Sequence, residues 1–308
     1  MIVLIGVPAA FAQSGKQSAP ASLAIKVDCN KKGSIGAALA HLSQTGNTRS
    51  VTVLVSGTCK ENIAISGFDH LLIEGSPEAI VQDAMGGSGI VFDVADSRVT
   101  FQSLRIQGGF FDVHCYKSAV CNFSGNDITQ ATWNGILLDH ADANFDGDTI
   151  EHNSGFGMVV WNSRVSLHNV TVRSTIPNSG LPGHGIDADY GSTITVEQAT
   201  VTDNQGAGIN LVASILMNRP WAGAFQVSGN AGGGIWVTEQ STGGVGGATV
   251  TNNGSGGVII TGNSEADFWN GGTFTGNQNS DVYCGALNGV AASPQSATIG
   301  ATNCPNTY

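Results

Sequence analysis

Charge is scarce in this chain. Only 11% of its 308 residues are Asp, Glu, Lys or Arg, and 12 cations stand against 23 carboxylates, for a net charge of −11. So few cations argue against nucleic acid and anionic membranes, both of which are held through basic patches. A strongly anionic polysaccharide is an awkward ligand for the same reason, unless Ca²⁺ screens the acids. No apolar run is long enough to cross a membrane as a helix. No Cys-x-x-Cys occurs, so metal binding is the weaker reading of the six cysteines. A leucine-rich consensus is also missing, which removes one repeat fold with a short period.

What is abundant is glycine, with 43 residues, and it recurs in a phrase. An Asn is followed four residues later by Gly and then an apolar residue. The phrase occurs at Asn153 to Gly157-Met158, Asn204 to Gly208-Ile209, Asn230 to Gly234-Ile235 and Asn253 to Gly257-Val258. Asn277 to Asp281-Val282 has lost its Gly, while Gly89-Ile90, Gly135-Ile136 and Gly185-Ile186 lack the Asn. With Val113 added, the apolar anchors fall at 90, 113, 136, 158, 186, 209, 235, 258 and 282, spaced by 22 to 28 residues. A period in the low twenties is the mark of a solenoid.

Short β-branched and aliphatic runs follow the anchors, as in Ile136-Leu137-Leu138 and Val258-Ile259-Ile260. A second short strand is expected about 14 to 18 residues later, at Ile150, Val172, Val201, Val227, Val250 and Phe274. Strands this short, joined by polar corners, predict an all-β right-handed parallel β-helix, its coils stacked about 4.8 Å apart. The repeated Asn is expected to serve a corner. Asn tolerates the left-handed backbone region, and stacked amides can bond from coil to coil.

In chain order, residues 1–12 end in Ala10-Phe11-Ala12 and read as a secretory signal peptide whose positive n-region is missing, a truncated start; a buried N-terminal strand is the alternative. Residues 13–26 read as a linker and 27–308 as one β-helix domain, with an irregular tail from about 285. Ser34 is positioned to cap a helix through about Ser43, with Ile35, Leu39 and Leu42 on one face, covering the open first coil. Strands are expected at 51–55, 62–65 and 70–73. The cysteines form three local pairs, Cys29 with Cys59, Cys115 with Cys121 and Cys284 with Cys304, which an exported chain would oxidise. A secreted, periplasmic or cell-surface monomer is expected.

The repeated Asn-x-x-x-Gly-Ile step, with Ser56-Gly57-Thr58-Cys59-Lys60-Glu61-Asn62-Ile63 as an entry strand, resembles the pectate-lyase-like superfamily of right-handed β-helix proteins over residues 27–284. That superfamily includes pectate lyases, polygalacturonases, pectin esterases, alginate epimerases and non-enzymatic adhesins. The resemblance therefore implies a fold and a bias toward carbohydrate, not a reaction. Gly183-His184-Gly185-Ile186 looks like the Gly-His-Gly element of polygalacturonases. The Asn-Thr-Asp, Asp-Asp and Arg-Ile-Lys that accompany it there are absent, as is an epimerase-type Asp-Pro-His.

With each anchor pointing inward, residues one and three places later point to solvent. The first outward row reads Val91, His114, Leu137, Val159, Asp187, Asn210, Trp236 and Ile259. The second reads Asp93, Tyr116, Asp139, Trp161, Asp189, Val212, Thr238 and Thr261. His114 competes with Val113 as the anchor of its coil. Asp139 and Asp189 would lie two coils apart, roughly 9–10 Å between Cα atoms. Carboxyl pairs about 6.5–9.5 Å apart suit inverting glycoside hydrolysis, so these two are the candidate acid and base, with Asp187 as a helper. Trp161 offers a stacking platform, Tyr116 and Trp236 flank it, and Asn210 adds a polar contact. Arg164 and His184 are candidate charge partners, His184 overhanging Asp187 and Asp189 from the end of the loop at 174–184. That loop accounts for the 28-residue interval.

Ordinary surface competes with all of this, because exposed Asp keeps a sheet soluble. Asp142, Asp146 and Asp148 form a second acidic group, read as solvated corner residues or a Ca²⁺ site; Ca²⁺ is the one cofactor the acids suggest. His140, His152 and His168 read as polar surface. Two functions follow. One is a secreted polysaccharide-binding, structural or adhesin-like β-helix. The other is a polysaccharide hydrolase or lyase.

Overall fold

The computed structural model describes residues 23–76, 79–285, 289–292 and 296–305. The expected signal peptide, and all but the last residues of the expected linker, lie outside them. Each coil carries three short strands. In one coil they are Asn134–Asp139, Asp142–Asp146 and Thr149–Glu151, after which Phe156–Trp161 begins the next. Equivalent strands pair in parallel into a front sheet of 10 strands, a middle sheet of 12 and a back sheet of 11. The result is a right-handed parallel β-helix.

The middle sheet is a correction to the expected two strands per coil. Asp142-Ala143-Asn144-Phe145-Asp146 has the composition of a corner, yet it pairs residue for residue with Val120–Ser124 below and Arg164–His168 above. Only Ala143 and Phe145 face inward, and two apolar residues suffice for a strand five residues long. Phe101, Phe123 and Phe145 stack inside this sheet, with centroids 5.3 and 4.4 Å apart.

Val113, Ile136, Met158, Ile186, Ile209, Ile235, Val258 and Val282 stand in one register and are fully buried. Ile90 does not join them. Val113 pairs with Phe92, and Ile90 pairs with Phe111 two residues upstream. The Gly89-Ile90 dipeptide mimics the anchor two places early, so the outward residues of that coil are Asp93 and Ala95, not Val91 and Asp93.

The predicted amide ladder is present at the corner leading into the front sheet. Asn204 Nδ2 donates to Asn230 Oδ1 at 2.9 Å, Asn230 to Asn253 at 3.0 Å, and Asn253 to Asn277 at 2.9 Å. The left-handed residue, however, is the one before each ladder Asn: His152, Asp203, Gly229, Asn252 and Gly276. A second ladder, of serines, runs up the corner after the front sheet. The backbone N–H of Ser163, Ser192, Ser214 and Ser241 each donates to the hydroxyl of the serine one coil on, ending at Ser264.

At the N-terminal end the strand Leu23–Asp28 pairs with Arg49–Ser56, so residues 23–26, expected to be linker, are part of the middle sheet. A helix, Ile35–Gln44, follows and buries Ile35, Leu39 and Leu42. Ser34 Oγ accepts from the Ala37 N–H at 3.0 Å, as the capping pattern requires. The Glu61 carboxylate accepts from the backbone N–H of Ile35 at 2.9 Å and of Gly36 at 3.0 Å, and the Ser34 hydroxyl donates to it at 2.7 Å. One side chain thus serves two orphan helix N–H groups and complements the helix dipole. Glu61→Ala is expected to destabilise the protein by about 2 kcal/mol, read as a lower midpoint in urea. No shift in that midpoint would show that the cap does not matter.

The three disulfides are Cys29–Cys59, Cys115–Cys121 and Cys284–Cys304, as the spacing suggested. The tail is more regular than expected: Val290–Ala292 and Thr298–Ile299 continue the middle and back sheets.

Candidate functional site

The front sheet holds the candidate residues. Its register sets Tyr116, Asp139, Trp161 and Asp189 side by side on four successive coils. The inner outward row, His114, Leu137, Val159, Asp187, Asn210 and Trp236, is continuous as well. Asp139 and Asp189 are therefore two coil rises apart, about 9.6 Å. Leu137, Val159 and Asp187 point outward yet are nearly buried, since they lie along the centre of the sheet between flanking rows of larger side chains. The inner row is thus a floor rather than an exposed crest.

Asp187 and Asp189 form the strongest electrostatic feature. They lie two residues apart on the strand His184–Asp189 and share its outward face. Asn210 Nδ2 donates to Asp187 Oδ1 at 2.7 Å, and Trp161 Nε1 donates to Asp189 Oδ2 at 3.2 Å. Burial pushes the Asp187 carboxyl up to about 7, with the nearby Asp189 charge adding to it and the Asn210 amide opposing it. Burial also raises Asp189, against the Trp161 hydrogen bond and aided by Glu239. Asp187, the more buried partner, is therefore the one of the two that titrates near neutral pH, losing its proton as pH rises through about 7. A carboxylic acid beside a carboxylate can give a proton on one side and take one on the other.

The other expected residues are distributed around this pair. Asp139 is bonded to its neighbour, His140 Nδ1, at 2.6 Å. Arg164 is on the middle sheet, where its guanidinium donates to Asp142 at 3.1 and 3.3 Å. Arg164, Asp142 and His140 line a cleft of about 510 Å³ at the corner beside the front sheet, with Asn162 and Thr193; Asp139, Asp187 and Asp189 are not among its lining residues. His184 does not overhang the acids. Its Nδ1 accepts from the Ala207 N–H at 2.7 Å, one coil on, and its ring meets Phe156 and Trp236. Burial lowers it to about 4, so it is a neutral packing group rather than a charge partner at neutral pH. Trp236 lies back over Gly233 toward His184, where a Cβ at 233 would collide with the indole nitrogen. The loop at 174–184 packs down along lower coils, with Asn178 Nδ2 donating to the Thr132 carbonyl, and bounds one edge of the sheet.

Asp142, Asp146 and Asp148 have separate partners: Arg164, His168 and the Asn126 amide with backbone N–H groups. His152 lies beside Glu151. Two features had no signal in the repeat. Tyr190, a left-handed corner residue 70% exposed, sets its ring edge-on to Trp161 at 6.2 Å. Asp93 bonds His114 Nδ1 at 2.8 Å, and His114 stacks on Tyr116 at 4.5 Å. The second pair becomes visible only once the register of that coil is corrected.

Residues 53–215 match the family model described as right handed beta helix region. Among solved structures, the A-module of the mannuronan C-5 epimerase AlgE4 of Azotobacter vinelandii aligns with a TM-score of 0.55 at 11% identity, covering 91% of this chain and 100% of that one. An alginate lyase from Paenibacillus aligns with a TM-score of 0.39 at 14% identity, covering 89% and 99%. PfbA, a surface adhesin of Streptococcus pneumoniae, aligns with a TM-score of 0.31 at 9% identity, covering 88% and 93%. At 11% identity the likeness to the epimerase module is one of fold. No curated protein matches the chain by sequence.

Proposed function

The chain belongs to the right-handed β-helix family, and from that premise we propose that it is an extracellular protein that binds a polysaccharide across its front sheet, between Tyr116 and Trp236. The observation that carries the reading is the meeting of two aromatic rings, half-buried Trp161 and exposed Tyr190, with hydrogen-bonding acids on and beside the outward rows of one sheet. Trp161 and Tyr190 present ring faces and edges, and Asp189, Asp187 and Asn210 present acceptors and donors beside them. Sugars are bound by this combination, apolar ring faces on aromatics and hydroxyls on planar polar groups. The fold is shared with a mannuronan C-5 epimerase, which sets the class of ligand to test first. Three disulfides favour an oxidising compartment. The front rows carry acids and no Lys or Arg, so an anionic glycan would need Ca²⁺ between it and the protein.

The test is native electrophoresis through gels containing single glycans. Trp161→Ala is expected to weaken retardation about tenfold, about 1.4 kcal/mol. Unretarded migration of the wild type in every glycan would overturn the reading.

A second reading, cleavage of the bound glycan, is favoured by Asp187 and Asp189 lying two residues apart on the outward face of one strand, the first raised to about 7 by burial. Asp187 would protonate the departing glycosidic oxygen while Asp189 accepts a proton from the attacking water. Asp139, two coils from Asp189 and bonded to His140, is the alternative partner. Reducing ends released by the wild type and not by Asp187→Asn would support this reading; no product from any bound glycan would retire it.

A further inference from the structure

A second aromatic feature lies away from the front sheet, at the corner between the middle and back sheets. In most coils that corner is short: two residues separate Asp142–Asp146 from Thr149–Glu151, and two separate Thr193–Val196 from Ala199–Thr202. Six residues, 219–224, separate Ile215–Asn218 from Phe225–Ser228, and five, 268–272, separate Glu265–Asp267 from Thr273–Thr275. Each of these two corners carries a tryptophan. Trp221 is 72% exposed and Trp269 48% exposed.

These two corners belong to coils separated by a third, yet the indole centroids are only 6.4 Å apart, with ring planes at 54°. The intervening coil makes this possible with Gly246 and Gly247. A Cβ at 246 would fall 1.7 Å from the Trp269 carbonyl oxygen, and one at 247 would fall 2.4 Å from the Pro220 Cβ. Both outer corners therefore close over a floor that has no side chains there. Hydrogen bonds fix the closure: Asn218 Nδ2 donates to the Gly246 carbonyl at 2.7 Å, the Gly247 N–H to the Gly271 carbonyl at 2.7 Å, and the Trp269 N–H to Asp267 Oδ1 at 3.0 Å.

We propose that Trp221 and Trp269 form a second glycan-binding site, a rigid aromatic wedge that takes neutral sugar rings independently of the front sheet. Packing does not account for two exposed indoles on two inserted corners. Two tilted ring faces above bare backbone fit the apolar face of a pyranose, with Asp267 and main-chain groups within reach of its hydroxyls. The nearest cation, Arg219, is committed to Glu197 at 2.8 Å, so nothing here favours an anionic sugar. A docked second copy would want apolar side chains where the floor has glycine, although exposed Ile215 and Met217 nearby make it the rival occupant.

The test uses the full chain and two insoluble neutral polysaccharides, cellulose and chitin, in pull-down assays. Trp221→Ala/Trp269→Ala is expected to lose retention at least fivefold on at least one of them, while Met85→Ala, an exposed apolar side chain outside both sites, keeps it. Soluble hexamers of the same sugars should change tryptophan emission in the wild type and in Met85→Ala but at least fivefold less in the double variant. Equal melting curves would establish that all variants are folded. Retention of the double variant at wild-type levels, or no retention of the wild type on either polysaccharide, would overturn the proposal whatever the front sheet binds. So would sedimentation showing a wild-type dimer that the double variant dissolves with glycan retention unchanged.

Discussion

Asn230→Ala should destabilise the protein by about 3–5 kcal/mol, more than any exposed substitution on the same coil. Asn230 is 1% exposed and has four hydrogen-bonding duties. Its Oδ1 accepts from the Asn204 N–H at 3.1 Å and from Asn204 Nδ2 at 2.9 Å. Its Nδ2 donates to the Val201 carbonyl at 3.2 Å and to Asn253 Oδ1 at 3.0 Å. Truncation to Ala strands a backbone N–H, a carbonyl and parts of two neighbouring amides, and each orphaned buried group costs about 1–3 kcal/mol before relaxation. Asn230→Asp should fare no better near neutral pH, because a carboxylate cannot donate and would face Asn253 Oδ1 across the coil step. The ladder has a direction that makes this sharper. Every amide donates toward the C-terminus, and the last, Asn277, donates to the Asp281 carboxylate at 2.9 Å, where an anion is the fitting terminator. Urea unfolding followed by circular dichroism gives the magnitude. Hydrogen exchange should place the loss in the coils around residues 199–260, because solenoid coils are stabilised by their neighbours. A loss under 1 kcal/mol would mean that the stacked amides are spectators.

That ladder shows what the sequence made legible. Gly residues one place before the anchors leave no Cβ to strike the ladder Asn, so Asn and Gly had to recur together; at Gly185 a Cβ would meet Asn204 Nδ2 at 2.7 Å. The phrase therefore encodes a contact between coils, which is why counting it recovered the register from Val113 to Val282. It failed at Ile90 because the glycine there precedes a different position of the strand. Beyond its first strands, expected at 51–55 and 70–73, the middle sheet went unseen for a different reason. Its strands show alternation over only four or five residues, and polar outward residues such as Asp142, Asn144 and Asp146 imitate a corner. Had it been seen, the pairing of Asp142 with Arg164 one coil above would have been readable, and Arg164 would not have been read as a corner residue free to serve the front-sheet acids. The rows of the front sheet could be projected, but not the burial of their members. Asp187 is nearly covered and Asp189 half-buried on one strand because of what flanks them, and that is a property of three coils at once. The direction of the His184 ring, toward the Ala207 N–H, has no local signature.

Asp187→Asn should make the protein more stable at pH 8 and change it little near pH 4. The sign follows from the direction of the shift. The folded carboxyl titrates at about 7 against an ordinary value of 3.8, so between these values the native state holds a proton that the unfolded chain has released. The stability this group contributes is complete below about pH 4 and is lost as pH rises through 7, where the wild type must keep a nearly buried carboxylate beside Asp189. At about 1.4 kcal/mol per tenfold change, the full span corresponds to at most about 4 kcal/mol, less whatever relaxation and entering water recover. Asn keeps the shape, has an oxygen to accept from Asn210, and never ionises. Unfolding midpoints of the two proteins in urea, measured from pH 4 to pH 8, should diverge up to about pH 7 and hold a constant gap above it; parallel curves throughout would show that Asp187 is not perturbed. If glycan cleavage is found, the same variant should abolish it, because the amide has no proton to give. A substitution that stabilises the fold and removes the chemistry separates a residue kept for function from one kept for packing. Asp142 and Asp146, exposed and paired only at the surface, should show neither effect when replaced by Asn.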